Sequence, residues 1–242
     1  MISGSVRAIC FDLDNTLWEI GPVLTRAESI LADWLGSRYP RIGERFSTAA
    51  MMLAREALSH EQPHRAHDFT YLRREALARL AIDAGYDPAD AASLAHEAFA
   101  IWHAARNQCS PYHDVVPALE LLKARFRLAT LSNGNADLAC IGLAHHFEVR
   151  LHAAELGYAK PDPRAYIALA DALTLEPGEI LFVGDEPHAD VIGPKAAGMR
   201  TVWINRTRAT WPEELIGADA SVADLSELAF MLTAGPVSVA TT

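Results

Sequence analysis

The chain has 242 residues, half of them apolar, with a formal net charge of -10 and a pI near 5.4. That is room for one domain, or for a core plus an insert. The acidic balance argues against broad contact with nucleic acid or an anionic membrane, which needs basic surface, but not against a small anionic substrate in a locally positive pocket. Cys10, Cys109 and Cys140 form no Cys-x-x-Cys pair, so neither a zinc ribbon nor a disulfide framework is expected. No run approaches the roughly 18 apolar residues of a membrane span, and residues 1–5 lack a basic, apolar signal segment. The expectation is a soluble, cytoplasmic protein, monomer or homodimer, with no nucleic-acid and no membrane partner.

Taken in order, Val6 to Asp12 reads as a buried parallel strand, a short apolar run broken only by Arg7. It delivers two carboxylates, Asp12 and Asp14. Leu13 to Gly21 is a turn-rich exit, and Pro22 suits the first turn of a helix. From there to about Gln108 only helical spacing is found. One stripe runs through Leu24, Ala27, Leu31 and Leu35, a second through Phe46, Ala50, Leu53 and Ala57. A third joins Phe69, Leu72, Ala76, Leu77 and Leu80, and a fourth, opened by Asp87-Pro88, passes Leu94, Ala98 and Trp102. Four helices after a single strand predict an inserted helical subdomain. The pattern then changes. A helix is expected over Val115–Phe126, a strand over Leu128–Leu131, a helix over Ala136–Ala144 and a weaker strand over Val149–Ala153. Further helices are expected at Pro163–Leu173, Ala189–Ala197 and Asp224–Leu232, with strands at Ile180–Val183 and Thr201–Ile204, and a loose tail from Pro236 to Thr242. The predicted fold is α/β: a Rossmann-like, doubly wound parallel sheet from residues 1–17 and 110–242, with a helical bundle at 18–109.

Polar residues fall at the strand ends: Asp12 and Asp14, then Ser132, then Lys160, then Asp185 with Asp190. In a parallel sheet these ends share one edge. Carboxylates gathered there are costly without a cation between them, and hard oxygen donors suit magnesium. With one hydroxyl and one ammonium, the set suits a phosphoryl group, whose oxygens it could neutralise while a carboxylate attacks phosphorus. Lysine is used at only three positions, 123, 160 and 195, in a chain otherwise rich in arginine.

These motifs, in this order and each after an apolar strand, resemble the haloacid dehalogenase superfamily in its phosphatase branch, with a helical cap between the first motif and the second. The resemblance runs from Val6 to about Ile204. It implies Asp12 as nucleophile, Asp14 as general acid and then base, and Thr16 as support for the motif. It further implies that Ser132, with the backbone at Asn133 and Gly134, holds a phosphate oxygen, and that Lys160 pairs with Asp12 and the phosphate. Asp185 would complete a Mg2+ shell with Asp12 and the Asp14 carbonyl, steadied by Asp190. The second acid, Asp14, points to phosphoryl transfer, because the dehalogenase branch does not carry it. The phosphonate-cleaving branch needs a cap lysine, and none lies between Leu17 and Gln108. A sugar-phosphate mutase and a non-catalytic phosphate binder remain open.

A looser likeness, carried by residues 130–136, 180–190 and 67–73, is to bacterial phosphatases acting on FMN and on the phosphorylated ribitylaminopyrimidine of riboflavin synthesis. It implies a small flavin-related phosphate ester as substrate. His67, Thr70 and Arg73 share a helical spacing of three, so Arg73 is either a candidate substrate contact from the cap or only a solvated or salt-bridged helix residue. Trp18, beside the catalytic turn, either touches substrate or packs the hinge. His60, His64 and His67 have metal-like spacing without a strong ligand set, and His145-His146 reads as helix-end decoration.

Overall fold

The computed structural model describes residues 6–44 and 46–233. The loose tail expected from Pro236 lies outside the described residues. They form two compact units, one of residues 6–19, 110–132 and 142–233, the other of residues 20–44, 46–109 and 133–141.

The first unit is built on a six-stranded, all-parallel sheet. Its strands are β1 (Ala8–Phe11), β2 (Arg127–Ser132), β3 (Val149–His152), β4 (Ile180–Gly184), β5 (Arg200–Ile204) and β6 (Ala220–Val222), in the spatial order β3-β2-β1-β4-β5-β6. The order reverses at β1, which pairs β2 on one side and β4 on the other, Phe11 lying opposite both Thr130 and Val183. This reversal is the switch point at which open α/β sheets bind ligands. β1 and β4 are buried throughout, as continuous apolar runs require. Period-2 alternation sends Ala8 and Cys10 into one core cluster with Phe182, Tyr166 and Leu169. The expected strand ending at Ala153 stops one residue earlier, and β6 went unpredicted: it is short, and its only buried residue is Val222.

In chain order the helices are α1 (Ile20–Arg38), α2 (Pro40–Gly43), α3 (Thr48–Glu61), α4 (Phe69–Asp83), α5 (Pro88–Arg106), α6 (Val115–Lys123), α7 (Leu138–Ile141), α8 (Ala153–Leu156), α9 (Pro163–Leu173), α10 (Gly193–Ala196) and α11 (Leu225–Thr233). The second unit holds α1 to α5 and α7. Its core includes Leu31, Leu35, Met51, Leu72, Leu77, Leu94 and Trp102, which are residues of the predicted stripes with Met51 added. Local chemistry sets the starts. Asp87 caps α5 by accepting from the amides of Ala89 and Asp90, with Pro88 in the first turn. Asp68 accepts from Tyr71 N at the start of α4, and Ser47 from Ala50 N at the start of α3.

Two expected helices take other forms. Residues 136–144 give only α7 and a single 3₁₀ turn at Ala144–His146, because Gly142 enters the left-handed region at φ 87°. Residues 189–197 give a π-helical turn, Pro187–Ile192, and then α10. Pro194 has no N–H to offer the Asp190 carbonyl four residues back, and its ring crowds that position, so the wider turn takes over.

Candidate active site

The site grows from the carboxyl end of β1. Asp12 N donates to Val183 O at 2.9 Å and so continues the β1–β4 ladder by one residue. The chain then folds back on itself. Asn15 adopts φ 62°, which asparagine tolerates, Leu17 N donates to Leu13 O, and Asn15 N donates to Trp18 O. This turn places the Trp18 indole so that its Nε1 donates to Asp14 Oδ1 at 2.8 Å. Trp18 is fully buried.

Lys160 is buried and bridges two carboxylates, with Nζ 2.6 Å from Asp12 Oδ1 and 2.7 Å from Asp190 Oδ1. Burial opposes its charge, but Asp12 and then Asp190 more than offset that and raise its pKa. Burial pushes the Asp12 carboxyl well above its ordinary value against the pull of Lys160. Asp185 is pushed up to about 6 by burial and then by the charge of Asp190. Thr16, itself fully buried, donates from Oγ1 to Asp185 Oδ1 at 3.2 Å, and Trp203 Nε1 donates to Asp185 O. Asp190 Oδ2 accepts from Glu186 N at 3.0 Å. Ser132 is buried at the end of β2, two residues beyond Thr130, the partner of Phe11, and Asn133 and Gly134 follow it directly.

Carboxylate oxygens of Asp12, Asp185 and Asp190 lie within 4.8 Å of one another. Three carboxylates against one ammonium leave two negative charges uncompensated in a buried place, and the donors are all oxygen. Such a set fits a divalent magnesium ion. Asp190 has one oxygen on Lys160 and the other on a backbone amide, so it suits the role of steadying the centre. The Asp14 carboxylate is not part of this cluster. The His60, His64 and His67 set does not come together as a metal-capable group among the described residues, whereas Glu120, His145 and His146 do.

Arg73, expected either as a substrate contact or as a solvated or salt-bridged helix residue, is buried inside the helical unit. Its Nη2 donates to Glu28 Oε1 at 2.7 Å and its guanidinium lies 3.8 Å from the Trp102 ring centroid. Thr70, its neighbour in the expected stripe, accepts from Asn135 Nδ2.

Three supports escaped the sequence reading. Arg206, in the loop after β5, donates from Nε to Thr16 O at 3.1 Å and from both terminal nitrogens to Asp114, at 3.1 and 2.9 Å. Tyr166 donates from Oη to Ala189 O at 2.6 Å and braces the π-helical turn. Gly184 makes room for Asp190, because a Cβ there would overlap the Asp190 side chain. Only the Gly184-Asp185 pair carried a signal in sequence; the other two act across long chain separations.

Fold and site together define a hydrolase: residues 6–198 match the haloacid dehalogenase-like hydrolases, and the chain belongs to that family. Among its relatives, it is 31% identical over 220 residues to the 5-amino-6-(5-phospho-D-ribitylamino)uracil phosphatase YigB of Escherichia coli, covering 88% of this chain and 91% of that one. It is 28% identical over 212 residues to the N-acylneuraminate-9-phosphatase of Rattus norvegicus, covering 84% of each. A solved structure named as a 2-haloacid dehalogenase, from Pseudomonas syringae pv. Tomato, is 35% identical with a TM-score of 0.88, covering 92% of this chain and 96% of that one. Among the described residues, no helix is long and apolar enough to cross a membrane.

Proposed function

We propose that the protein is a magnesium-dependent phosphatase of small-molecule phosphate monoesters, with FMN or a ribityl phosphate of riboflavin synthesis as the substrate class. Asp12 attacks phosphorus and forms an aspartyl-phosphate as the ester oxygen leaves. Asp14 gives its proton to that oxygen, then takes one from the water that hydrolyses the acyl phosphate, which releases inorganic phosphate and restores Asp12. Lys160 fixes the Asp12 carboxylate, and with Ser132 and the amides after it neutralises and binds phosphoryl oxygens. Asp12, Asp185 and the Asp14 carbonyl would hold magnesium, with Asp190 behind them. When bound, the ion supplies positive charge against the phosphoryl oxygens. The likeness to the ribitylaminouracil phosphatase supports the substrate class.

The observation that carries this reading is the Asp14 carboxylate, held by the Trp18 indole two residues beyond Asp12. An alkoxide leaving group needs a proton; a halide leaves as a stable anion and needs none. The likeness to a 2-haloacid dehalogenase structure favours a second reading, halide displacement by Asp12. Parallel assays of phosphate release from FMN and of halide release from 2-chloropropionate separate the two. The phosphatase reading expects phosphate release that falls about 100- to 10,000-fold in Asp14→Asn. Halide release without phosphate release, unchanged in Asp14→Asn, would establish the dehalogenase instead.

A further inference from the structure

The helical unit contains a second place where charge and space meet. An open cleft of about 570 Å³, a volume that admits a small ligand, is bounded by α1, the segment before α3, α3 itself and Arg73 of α4. Among the described residues, three ionisable side chains line it: Glu28, Arg55 and Arg73. Glu28 spends Oε1 on both Arg73 Nη2, at 2.7 Å, and Trp102 Nε1, at 3.1 Å. Arg55 makes no hydrogen bond or ion pair among the described residues; its guanidinium stands 5.8 Å from the Phe69 ring centroid. Among the described residues, the half-buried Arg55 and the buried Arg73 thus face one lining carboxylate, which bonds Arg73 and not Arg55, and one positive charge is left over at the cleft wall. Arg55 Nε, Arg73 Nη1 and Glu28 Oε2 also lack any hydrogen-bond partner. Buried polar groups left this way are costly. Arginine is the side chain best shaped to receive a planar or tetrahedral anion through two parallel donors. The rest of the lining mixes apolar Leu24, Phe46 and Met52 with the hydroxyl residues Thr25, Ser29, Ser47 and Thr48.

The geometry points to a binding site for a small organic anion in this cleft, its carboxylate or phosphate-like head received by Arg55 and Arg73 and its apolar body laid against Phe46 and Met52. Burial, and then the neighbouring charge of Arg73, lowers the pKa of Arg55, so the two guanidinium groups disfavour one another until an anion arrives. A small turn of either guanidinium about its last torsions would present the unpartnered donors to the ligand. Glu28 Oε2 adds a preference for a ligand that also carries a hydroxyl or amine. The site does not rest on the phosphatase reading, and no turnover enters its test.

The test is calorimetric titration of the full chain, in chelator, with benzoate, phenylphosphonate and benzyl alcohol. These share one apolar body and differ in the head. Both anions are expected to bind more tightly than the alcohol. Arg55→Gln, which removes a charge without stranding Glu28, and Met52→Glu, which sets an acid at the exposed rim, should each weaken binding at least about tenfold. Binding of one anion alone supports the site and names its head group. Anions that bind no better than the alcohol overturn the proposal. So does binding to folded Arg55→Gln and Met52→Glu at wild-type affinity.

Discussion

Replacing Arg206 with methionine tests how far the catalytic turn depends on a residue that touches no reacting atom. Arg206 makes two charge-assisted bonds to Asp114, whose side chain is 0% exposed, and one bond to the Thr16 carbonyl. Asp114 also accepts from Leu225 N at 2.8 Å, and so ties the first turn of α11 to the same point. Burial alone would raise the Asp114 pKa, but the Arg206 bonds and the Leu225 amide hold it below the usual carboxylate range. Stranding one partner of a buried pair costs about 3–5 kcal/mol. Arg206 keeps 13% of its side chain in solvent, so the lower end applies, roughly 3 kcal/mol. With a urea slope of about 2–3 kcal/mol/M, the unfolding midpoint should drop by about 1 M. Because Thr16 loses its carbonyl anchor while still bonded to Asp185, kcat should fall about tenfold to a hundredfold. The sign with pH follows from the depressed folded pKa: the pair's contribution is present at neutral pH and is lost as pH falls below about 4. The variant should therefore show a flatter acid limb, and Asp114→Asn with Arg206→Met should lose less than the two changes summed. An Arg206→Met protein within 1 kcal/mol or so of wild type, with unchanged kcat, would refute the reasoning, since a buried pair cannot be broken that cheaply.

Other outcomes follow from the same geometry. Asp185, with its pKa raised to about 6, must be ionised to hold a cation, so apparent magnesium affinity should climb between pH 5 and 7. A carboxyl whose folded pKa is raised loses its stabilising contribution as pH rises through that value. The metal-free protein should therefore melt lower at pH 7 than at pH 5 as far as this group decides, and magnesium should restore more at pH 7. Gly184→Ala forces a methyl into the Asp190 side chain and should cost about 1–3 kcal/mol together with most of the activity; wild-type kinetics in that variant would show that Asp190 is not fixed as described. Lys160→Met should leave Asp12 and Asp190 facing each other without the ammonium between them, and turnover should fall by orders of magnitude even at saturating magnesium.

The sheet was legible where burial made strands continuous. β1, β2, β4 and β5 are apolar runs ending in a polar residue, and that ending is what placed Asp12, Ser132 and Asp185 on one edge. β6 was not legible, because a three-residue edge strand needs only one buried side chain. The π-helical turn at Pro187–Ile192 was hidden because Ala189, Ile192 and Ala196 keep helical spacing while Pro194 quietly removes a backbone donor. Segment 133–141 reads as part of the sheet region by position, yet it bonds to the helical unit through Asn107 Oδ1 to Asp137 N and through His103 to Asn135 O. Arg206 and Tyr166 lie beyond sequence reasoning for a simpler reason. Their partners stand 190 and 23 residues away, and nothing in composition or periodicity announces such a bond.

The central claim is that Asp12 is a nucleophile toward phosphorus. The direct measurement is phosphate release from FMN and an aryl phosphate by wild type and by Asp12→Asn, with magnesium and with chelator. Asparagine keeps the shape and the Val183 backbone bond but removes the attacking charge. The account predicts magnesium-dependent release by the wild type and a loss of at least about 10,000-fold in the variant, in line with losing a catalytic nucleophile. Asp12→Asn activity within tenfold of wild type or so would contradict the account.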